Sequence, residues 1–310
     1  MTAVFARPRV VFLLASLCCL LWGSAYPAIK IGYGLFAIAP GDVATQLVFA
    51  GYRFVGAGAL LLLFAALSGK PWLAISPRTG AQLALLGVAQ TTLQYVFFYI
   101  GLAHTTGVKA SILNGVGAFF SVLLAHFVYH NDRLSWRKIA GCTVGFAGVM
   151  LVNLGGLAGA AGSGSGHFEF SLLGEGFLLL SSLTLSAASM YGKRVSQGMD
   201  PVVMTGYQLG AGGLVLLALG GLAGGTLHAF TLQSSALLAY LAALSAVAFA
   251  LWGVLLKYNR VSSVSVYFFL MPLFGAGLSA LFLGESIWAW KNLAALALVC
   301  QGIWWVTQEK

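Results

Sequence analysis

Ten apolar stretches follow one another along the chain, separated by short loops. Each has the length of a helix that crosses a ~30 Å hydrocarbon core, which takes about 20 residues. The stretches cover residues 10–31, 44–67, 79–101, 109–129, 139–155, 172–192, 201–223, 236–256, 261–283 and 291–307. Hydrophobic residues make up 60% of the chain and charged residues only 7%, too few for a water-soluble surface. We therefore predict an all-α, polytopic membrane protein with ten transmembrane helices.

The basic residues of the loops lie on one side of this alternation. The termini and the loops on the first side hold Arg7, Arg9, Lys70, Arg78, Arg133, Arg137, Lys138, Lys193, Arg194, Lys257, Arg260 and Lys310. The five loops on the other side hold no lysine or arginine. Because positively charged loops stay in the cytoplasm, both termini are expected there. The run after Arg9 is too long for a cleaved signal peptide, so we expect it to remain as the first helix.

The net charge of +9 does not indicate nucleic-acid binding. The cations sit in short loops beside the membrane, where they set topology and meet anionic lipid. The lipid bilayer is therefore the partner that this charge predicts.

A Gly/Ser-rich segment, 156–171, divides the spans into five and five. An odd number of spans in each half means that the halves insert in opposite orientations. The sequence FFSVLLAHFVYHNDRLSW, ending the fourth span, is weakly similar to PLFGAGLSALFLGESIWA, ending the ninth, and places Asp132 opposite Glu285. We predict two inverted repeats, 1–155 and 172–310, joined by an external linker. Inverted repeats are typical of transporters that bind substrate near the bilayer midplane, between the halves.

These segments also resemble a known family. LLWGSAYP in the first span and PLFGAGLSALFLGESI in the ninth are similar to signatures of the drug/metabolite transporter superfamily, in its ten-helix EamA branch. The resemblance covers the whole chain, although Phe119 and Asn131-Asp132 stand where the first repeat of the family usually has proline and Gly-Glu. It implies a multi-pass transporter of the bacterial inner membrane and leaves the substrate open.

Polar side chains recur at helical spacing inside several spans. Gln90 and Gln94 share one face of the third span. Because buried amides need partners, we predict that they line a cavity with Asn114. Serines on the fourth, sixth and eighth spans have two interpretations, since small residues also let membrane helices pack closely. The candidate substrate-binding residues are Arg53, Gln90, Gln94, Tyr95, Asn114, Ser121, Ser182, Ser186, Ser245, Trp252 and Phe268.

Arg53 is the deepest predicted charge. It lies nine residues into the second span, about 14 Å from its end, near the midplane. It either pairs structurally within the protein, or it faces an anionic substrate or gates the cavity. No aspartate or glutamate is predicted at similar depth, whereas pumps for lipophilic cations usually hold a buried acid. A substrate with a carboxylate therefore fits better. Pro27 and Pro272 are predicted to break their helices and to free backbone groups for binding or gating.

The sequence favours a secondary transporter that exports amino acids or related small carboxylates. A multidrug or toxic-compound efflux permease is the main alternative, and a channel or a scaffold is a weaker one. An intramembrane enzyme is not expected, because no catalytic residue set, nucleotide-binding motif, cofactor motif or metal site is recognisable. The runs of glycine on the fifth and seventh spans predict close helix packing or, alternatively, a homodimer face.

Overall fold

Ten helical rods make up the part of the chain that the computed structural model describes, which is residues 4–39, 41–73, 75–104, 107–161, 171–283 and 290–308. The rods are α1 (Pro8–Leu35), α2 (Val43–Leu67), α3 (Pro77–Gly87, Val88–Leu93 and Gln94–Ala103), α4 (Gly107–Val128), α5 (Trp136–Ala161), α6 (Leu172–Gly176 and Phe177–Ser196), α7 (Pro201–Leu222), α8 (Leu232–Tyr258), α9 (Val261–Ser265, Val266–Phe269 and Leu270–Leu283) and α10 (Trp290–Thr307). No strand occurs in those residues. The all-α prediction is confirmed.

Six of these helices are long and apolar enough to cross a membrane: α1, α2, α3, α6, α7 and α8. Shorter apolar helices cover Leu113–Val128, Val261–Gly275 and Ala294–Thr307, within α4, α9 and α10. The predicted span ends agree with the helix ends to about one turn, except at the end of α5. This helix continues to Ala161, so residues 156–161, which belong to the predicted linker, are helical. Residues 162–170 of that linker lie outside the described part of the chain.

Local sequence fixes where several helices begin. Proline opens α1, α3 and α7, where its missing N–H costs nothing. The Asp42 side chain accepts a hydrogen bond from the amide of Thr45 and so caps α2. Thr231 and Ser234 form a reciprocal capping box at the start of α8. These contacts satisfy amides that the first helical turn would otherwise leave unpaired.

The helices pack mainly across the two halves of the chain. α2 packs on α7, and α5 packs on α10. α1 packs on α8 and α9, while α6 packs on α3 and α4 in the same way. Such a reciprocal pattern is what a twofold relation between α1–α5 and α6–α10 would produce. The space between the halves is where the cavity described below lies.

Glycines allow the closest of these helix contacts. A Cβ on Gly58 of α2 would lie 2.6 Å from the backbone nitrogen of Gly210 in α7. A Cβ on Gly302 of α10 would lie 2.5 Å from the carbonyl oxygen of Gly141 in α5. Both distances are too short for any side chain, so the backbones touch directly. The predicted glycine runs therefore pack helices within one chain, and the structure does not show a homodimer.

Two helices contain irregular segments near their centres. Residues Val88–Leu93 form a π-helical turn in α3, and Val266–Phe269 form a 3₁₀ turn in α9. The second turn has a local cause, because Pro272 has no N–H to donate to the carbonyl of Phe268. By contrast, α1 runs through Pro27 as a continuous helix. Irregular turns of this kind often mark functional sites, and both segments here contribute residues to the cavity.

Candidate functional site

A cavity of about 690 Å³ lies between the two halves of the bundle. Its size is within the range of small-molecule sites, roughly 300–1,000 Å³. Its walls come from α1, α2, α3 and α4 on one side and α6, α8 and α9 on the other. The lining residues are Trp22, Ala25, Pro27, Ile29, Lys30, Ile31, Tyr33, Arg53, Gln90, Gln94, Tyr95, Phe98, Tyr99, Leu102, Asn114, Leu185, Phe249, Trp252, Phe268 and Met271.

Arg53 is the buried charge on this wall. Only 2% of the residue is exposed, and its Nε donates a 2.7 Å hydrogen bond to Oγ of Ser245 in α8. Ser245 in turn donates to the carbonyl of Leu241 at 2.7 Å, which fixes the hydroxyl. The guanidinium carbon also lies 5.0 Å from the ring centre of Phe54. Ser245 is a neutral partner, so the positive charge of Arg53 is not cancelled by it.

Two glutamines of α3 bring amide groups to the cavity wall. Gln94 donates to Oγ of Ser181 at 3.1 Å, and Ser181 donates back to the Gln94 carbonyl at 3.0 Å. This reciprocal pair joins α3 to α6. Thr92 donates to the Gly212 carbonyl of α7 at 2.9 Å, which holds the π-helical turn in place. Gln90, 7% exposed, sits in that turn and faces the cavity.

Four aromatic rings pack together at one end of the cavity. The Trp252 and Phe268 rings are stacked, with centroids 4.5 Å apart and an interplanar angle of 27°. Trp22 meets Trp252 edge-on at 5.2 Å and Phe249 at 5.3 Å. Its Nε1 is buried and makes no hydrogen bond within the described residues. All four rings also line the cavity.

The cavity brings together most of the predicted site residues. Those that line it are Pro27, Arg53, Gln90, Gln94, Tyr95, Asn114, Trp252 and Phe268. Ser245 lies behind the wall as the partner of Arg53. Pro272 is next to the wall residue Met271 and is not itself in the lining.

Three predicted serines lie elsewhere, in the interface between α4 and α6. Ser121 donates to Ser186 at 3.1 Å, and Ser186 donates to the Gly117 carbonyl at 3.1 Å. Ser182 donates to the Leu113 carbonyl at 3.3 Å. None of the three is among the cavity-lining residues. The helix-packing interpretation that the sequence left open describes their position.

Sequence reasoning did not single out three wall residues, Trp22, Lys30 and Tyr33. All three are on α1, beside Pro27. A signal was present, because Trp22 belongs to the LLWGSAYP segment that carries the family resemblance. Lys30 is exposed and adds a second cation to the wall. Among the described residues that line the cavity, no aspartate or glutamate occurs.

A second polar centre lies on the side of the basic loops. Asp132, 1% exposed, accepts from Nζ of Lys138 at 2.7 Å and from the Ser262 amide of α9 at 2.9 Å. The Ser262 hydroxyl also donates to it. This cluster ties the loop between α4 and α5 to the start of α9. The alignment of Asp132 with Glu285 was its only sequence signal, and Glu285 lies outside the described residues.

The nearby histidines do not form a metal site with it. Nδ1 of His126 accepts a 3.0 Å hydrogen bond from the Leu134 amide, which occupies one ring nitrogen structurally. Within the described residues, no group of three His, Cys, Asp or Glu side chains is arranged to hold a metal ion.

Known proteins resemble the chain over nearly its full length. A family model described as the EamA-like transporter family matches residues 9–154 and 172–308. An uncharacterized transporter of Archaeoglobus fulgidus is 30% identical over 85% of this chain and 86% of its own length. The inner membrane transporter YedA of Escherichia coli K12 is 26% identical, with 90% and 86% covered.

Two further similarities concern substrate and fold. A probable terminal-alkyne amino-acid exporter of Streptantibioticus cattleyicolor is 24% identical over 85% of this chain and 82% of its own. A solved crystal structure with 17% sequence identity superposes with a TM-score of 0.76 and covers 97% of both chains. At that identity the superposition establishes the fold alone.

Proposed function

Because the chain belongs to the EamA-like transporter family, we propose that this transporter exports small metabolites that carry a carboxylate, amino acids or related compounds. The observation that carries the proposal is the charge of the cavity wall. It holds two cations, Arg53 and Lys30, and no acid among its described residues. Such a wall attracts anionic groups and repels cations.

The wall also supplies a place for the rest of such a substrate. Tyr95, Phe98 and the stacked pair Trp252–Phe268 offer apolar and aromatic surface. Gln90 and Asn114 offer amide groups that can orient polar parts of a ligand. A carboxylate on Arg53 with an apolar or aromatic side chain against the rings would satisfy both kinds of surface.

The similarity to the S. cattleyicolor exporter supports the amino-acid part of the proposal. That protein is named as a probable exporter of a terminal-alkyne amino acid. The carboxylate common to all amino acids is the group that Arg53 would recognise.

We further propose that transport follows alternating access between two inverted repeats, residues 1–155 and 172–310. The reciprocal packing of α1 on α8 and α9 and of α6 on α3 and α4 supports this relation. The one-sided basic loops support cytoplasmic termini, and the similarity to YedA supports a bacterial inner membrane.

The experiment is flux into proteoliposomes of radiolabelled amino acids and small organic acids. We expect saturable, protein-dependent flux of at least one carboxylate. Arg53→Ala should insert normally and lose that flux, and Arg53→Lys should restore only part of it, because lysine lacks the planar fork of donors. Ser121→Ala is the matched control, since Ser121 is buried in the α4–α6 interface and should leave flux unchanged.

Two results would contradict the proposal. If no compound of the panel shows saturable flux, small carboxylates are not the substrates. Flux at the wild-type level in Arg53→Ala would remove Arg53 from the site.

Multidrug efflux is a second candidate, and the aromatic end of the cavity favours it. Trp22, Phe249, Trp252 and Phe268 form a surface that can hold many apolar compounds. The same proteoliposomes distinguish the two functions. Flux of a lipophilic cation such as ethidium that survives Arg53→Ala would support multidrug efflux and contradict carboxylate recognition.

A further inference from the structure

A second large cavity opens on the side of the bundle that carries the basic loops. Its volume is about 830 Å³, and we call it the vestibule. It lies between the ends of α4, α6 and α8 and the beginning of α9. Its lining residues are Val128, Tyr129, Asn131, Ala187, Met190, Tyr191, Lys193, Arg194, Gln197, Lys257, Tyr258, Asn259 and Arg260.

Four cations converge on the vestibule: Lys193, Arg194, Lys257 and Arg260. None of its described lining residues is an acid. The positive-inside bias accounts for the sign of these charges but not for their convergence on one hollow. Arg78 and Arg137, in the first turns of α3 and α5 on the same side, lie outside it.

The two lysines are hydrogen-bonded without being neutralised. Nζ of Lys257 donates to the Met199 carbonyl at 2.9 Å. Nζ of Lys193 donates to the Asn259 carbonyl and lies 5.4 Å from the ring centre of Tyr129. Carbonyls and rings are neutral partners, so both positive charges remain. Their positions are nevertheless fixed, as a preformed site requires.

Arg194 supplies donors that the protein does not use. Its side chain is exposed in the vestibule, and its guanidinium donates no hydrogen bond to a described residue. A planar fork of this kind matches carboxylate and phosphate oxygens. Asp132, the buried acid on this side of the bundle, is already bound by Lys138 and Ser262.

A small space of about 20 Å³ shares lining residues with both the vestibule and the central cavity. Lys193 lines both the vestibule and this space, and Gln90 and Trp252 line both this space and the central cavity. Nε2 of Gln208, in the same space, is buried and has no hydrogen-bond partner among the described residues. The volume suffices for one water molecule, which needs about 10–15 Å³.

From this arrangement we propose that the vestibule is an anion-binding site, which takes a carboxylate or phosphate group through Arg194 with the lysines and Arg260 around it. The inference does not depend on which compound the central cavity carries. The anion could be a solute or the headgroup of an anionic lipid, since both present the same oxygens.

The test measures the electrostatic potential of the vestibule directly. Cysteine is placed at Ala187, an exposed lining residue, in a Cys300→Ser background, because Cys300 is the exposed one among the four native cysteines. The labelling rates of an anionic and a cationic methanethiosulfonate of similar size are compared with those of a free thiol. We expect the anion-to-cation ratio to exceed that of the free thiol by roughly tenfold, because the converging charges of Arg194, Lys193 and Lys257 create a potential of several kT.

Matched charge variants separate the vestibule from the general surface. Arg194→Gln with Lys257→Gln should bring the ratio to within about threefold of the free thiol. Arg78→Gln with Arg137→Gln removes the same charge from the same face and should leave the ratio high. If the labelling ratio falls equally in the two double variants, the proposal is overturned. If the first pair does not fold, the single Arg194→Gln replaces it, since that side chain is exposed.

Occupancy is tested by protection from the anionic reagent in phosphatidylcholine nanodiscs. Inorganic phosphate, compared with chloride at equal ionic strength, should slow labelling if solutes bind. Replacing part of the lipid with phosphatidylglycerol should slow it if headgroups bind. Protection by either one, lost in Arg194→Gln with Lys257→Gln, supports the site. Protection by neither, or equal protection by chloride, overturns it.

Discussion

Arg53 and Asp132 are both buried charges, but the protein treats them differently. Arg53 has a neutral partner, Ser245, and faces a cavity of about 690 Å³. Asp132 has a cationic partner, Lys138, and two further donors from Ser262, and no large cavity includes it in its described lining. A buried charge with a counter-ion stabilises the fold, whereas a buried charge with a neutral partner can still attract a charged ligand. The comparison therefore distinguishes a structural ion pair at Asp132 from a binding group at Arg53.

The largest stability effect is expected from Asp132→Asn. The change removes the charged partner in the buried Lys138–Asp132 pair, and breaking a buried pair in this way costs about 3–5 kcal/mol. Reversible unfolding in mixed micelles measures the free energy. Asp200→Asn is the control, because the Lys70–Asp200 pair is partly exposed and asparagine still caps α7. If the two variants lose the same free energy of unfolding, the Asp132–Lys138 pair is not a special structural contact.

Arg53→Met should lose transport and change the free energy of unfolding by no more than about 1 kcal/mol. Methionine keeps the apolar stem, and replacing a buried charge by an apolar side chain is often neutral. The same micelle assay, run beside flux measurements, checks both halves of the expectation. If Arg53→Met unfolds as readily as Asp132→Asn, Arg53 is a structural charge and the comparison fails.

Ser245→Ala sharpens the comparison further. It removes the hydrogen bond that orients Arg53 and should cost about 0.5–1.5 kcal/mol of stability. Transport should continue, with KM raised by roughly threefold to tenfold and kcat little changed, because the guanidinium remains but is less well positioned. Complete loss of flux would show that the hydroxyl of Ser245 itself contacts substrate.

The smallest effect is expected for Asp200 as the pH falls. Burial raises the pKa of Asp200, but hydrogen bonds from Lys70 and from the amides of Val202 and Val203 outweigh it, so the net pKa lies below its usual range. Its contribution to stability is complete above the ordinary carboxyl pKa of about 4 and is lost as pH falls through the lower folded value. At this exposure it amounts to less than about 1 kcal/mol.

The difference in stability between wild type and Asp200→Asn, followed from pH 6 to pH 3, measures this contribution. The difference should shrink as the pH falls. A difference that grows toward low pH would contradict the sign of the pKa change.

The helices were predictable because hydrocarbon demands long apolar segments, and the sequence shows ten of them. Individual site residues such as Arg53 and Gln90 were predictable, because burying a charged or amide side chain in the membrane costs free energy unless it has a partner or faces a cavity. Serines such as Ser121 were not, because one small hydroxyl serves a cavity wall and a helix interface equally well. Lys30 was not predicted as a wall residue. It lies near the end of a predicted span, and the sequence does not indicate whether the cavity extends that far along the helix.

The sequence by itself determined the number of apolar spans, the side that carries the basic loops and the resemblance to a transporter family. Each of these follows from the composition and the order of the residues. Only the tertiary structure decided which polar groups meet. The Ser262 amide that donates to Asp132 is 130 residues away in the sequence. The serine that accepts from Arg53 is 192 residues away. Helical periodicity defines the face on which a side chain lies, but packing selects the helix that this face touches.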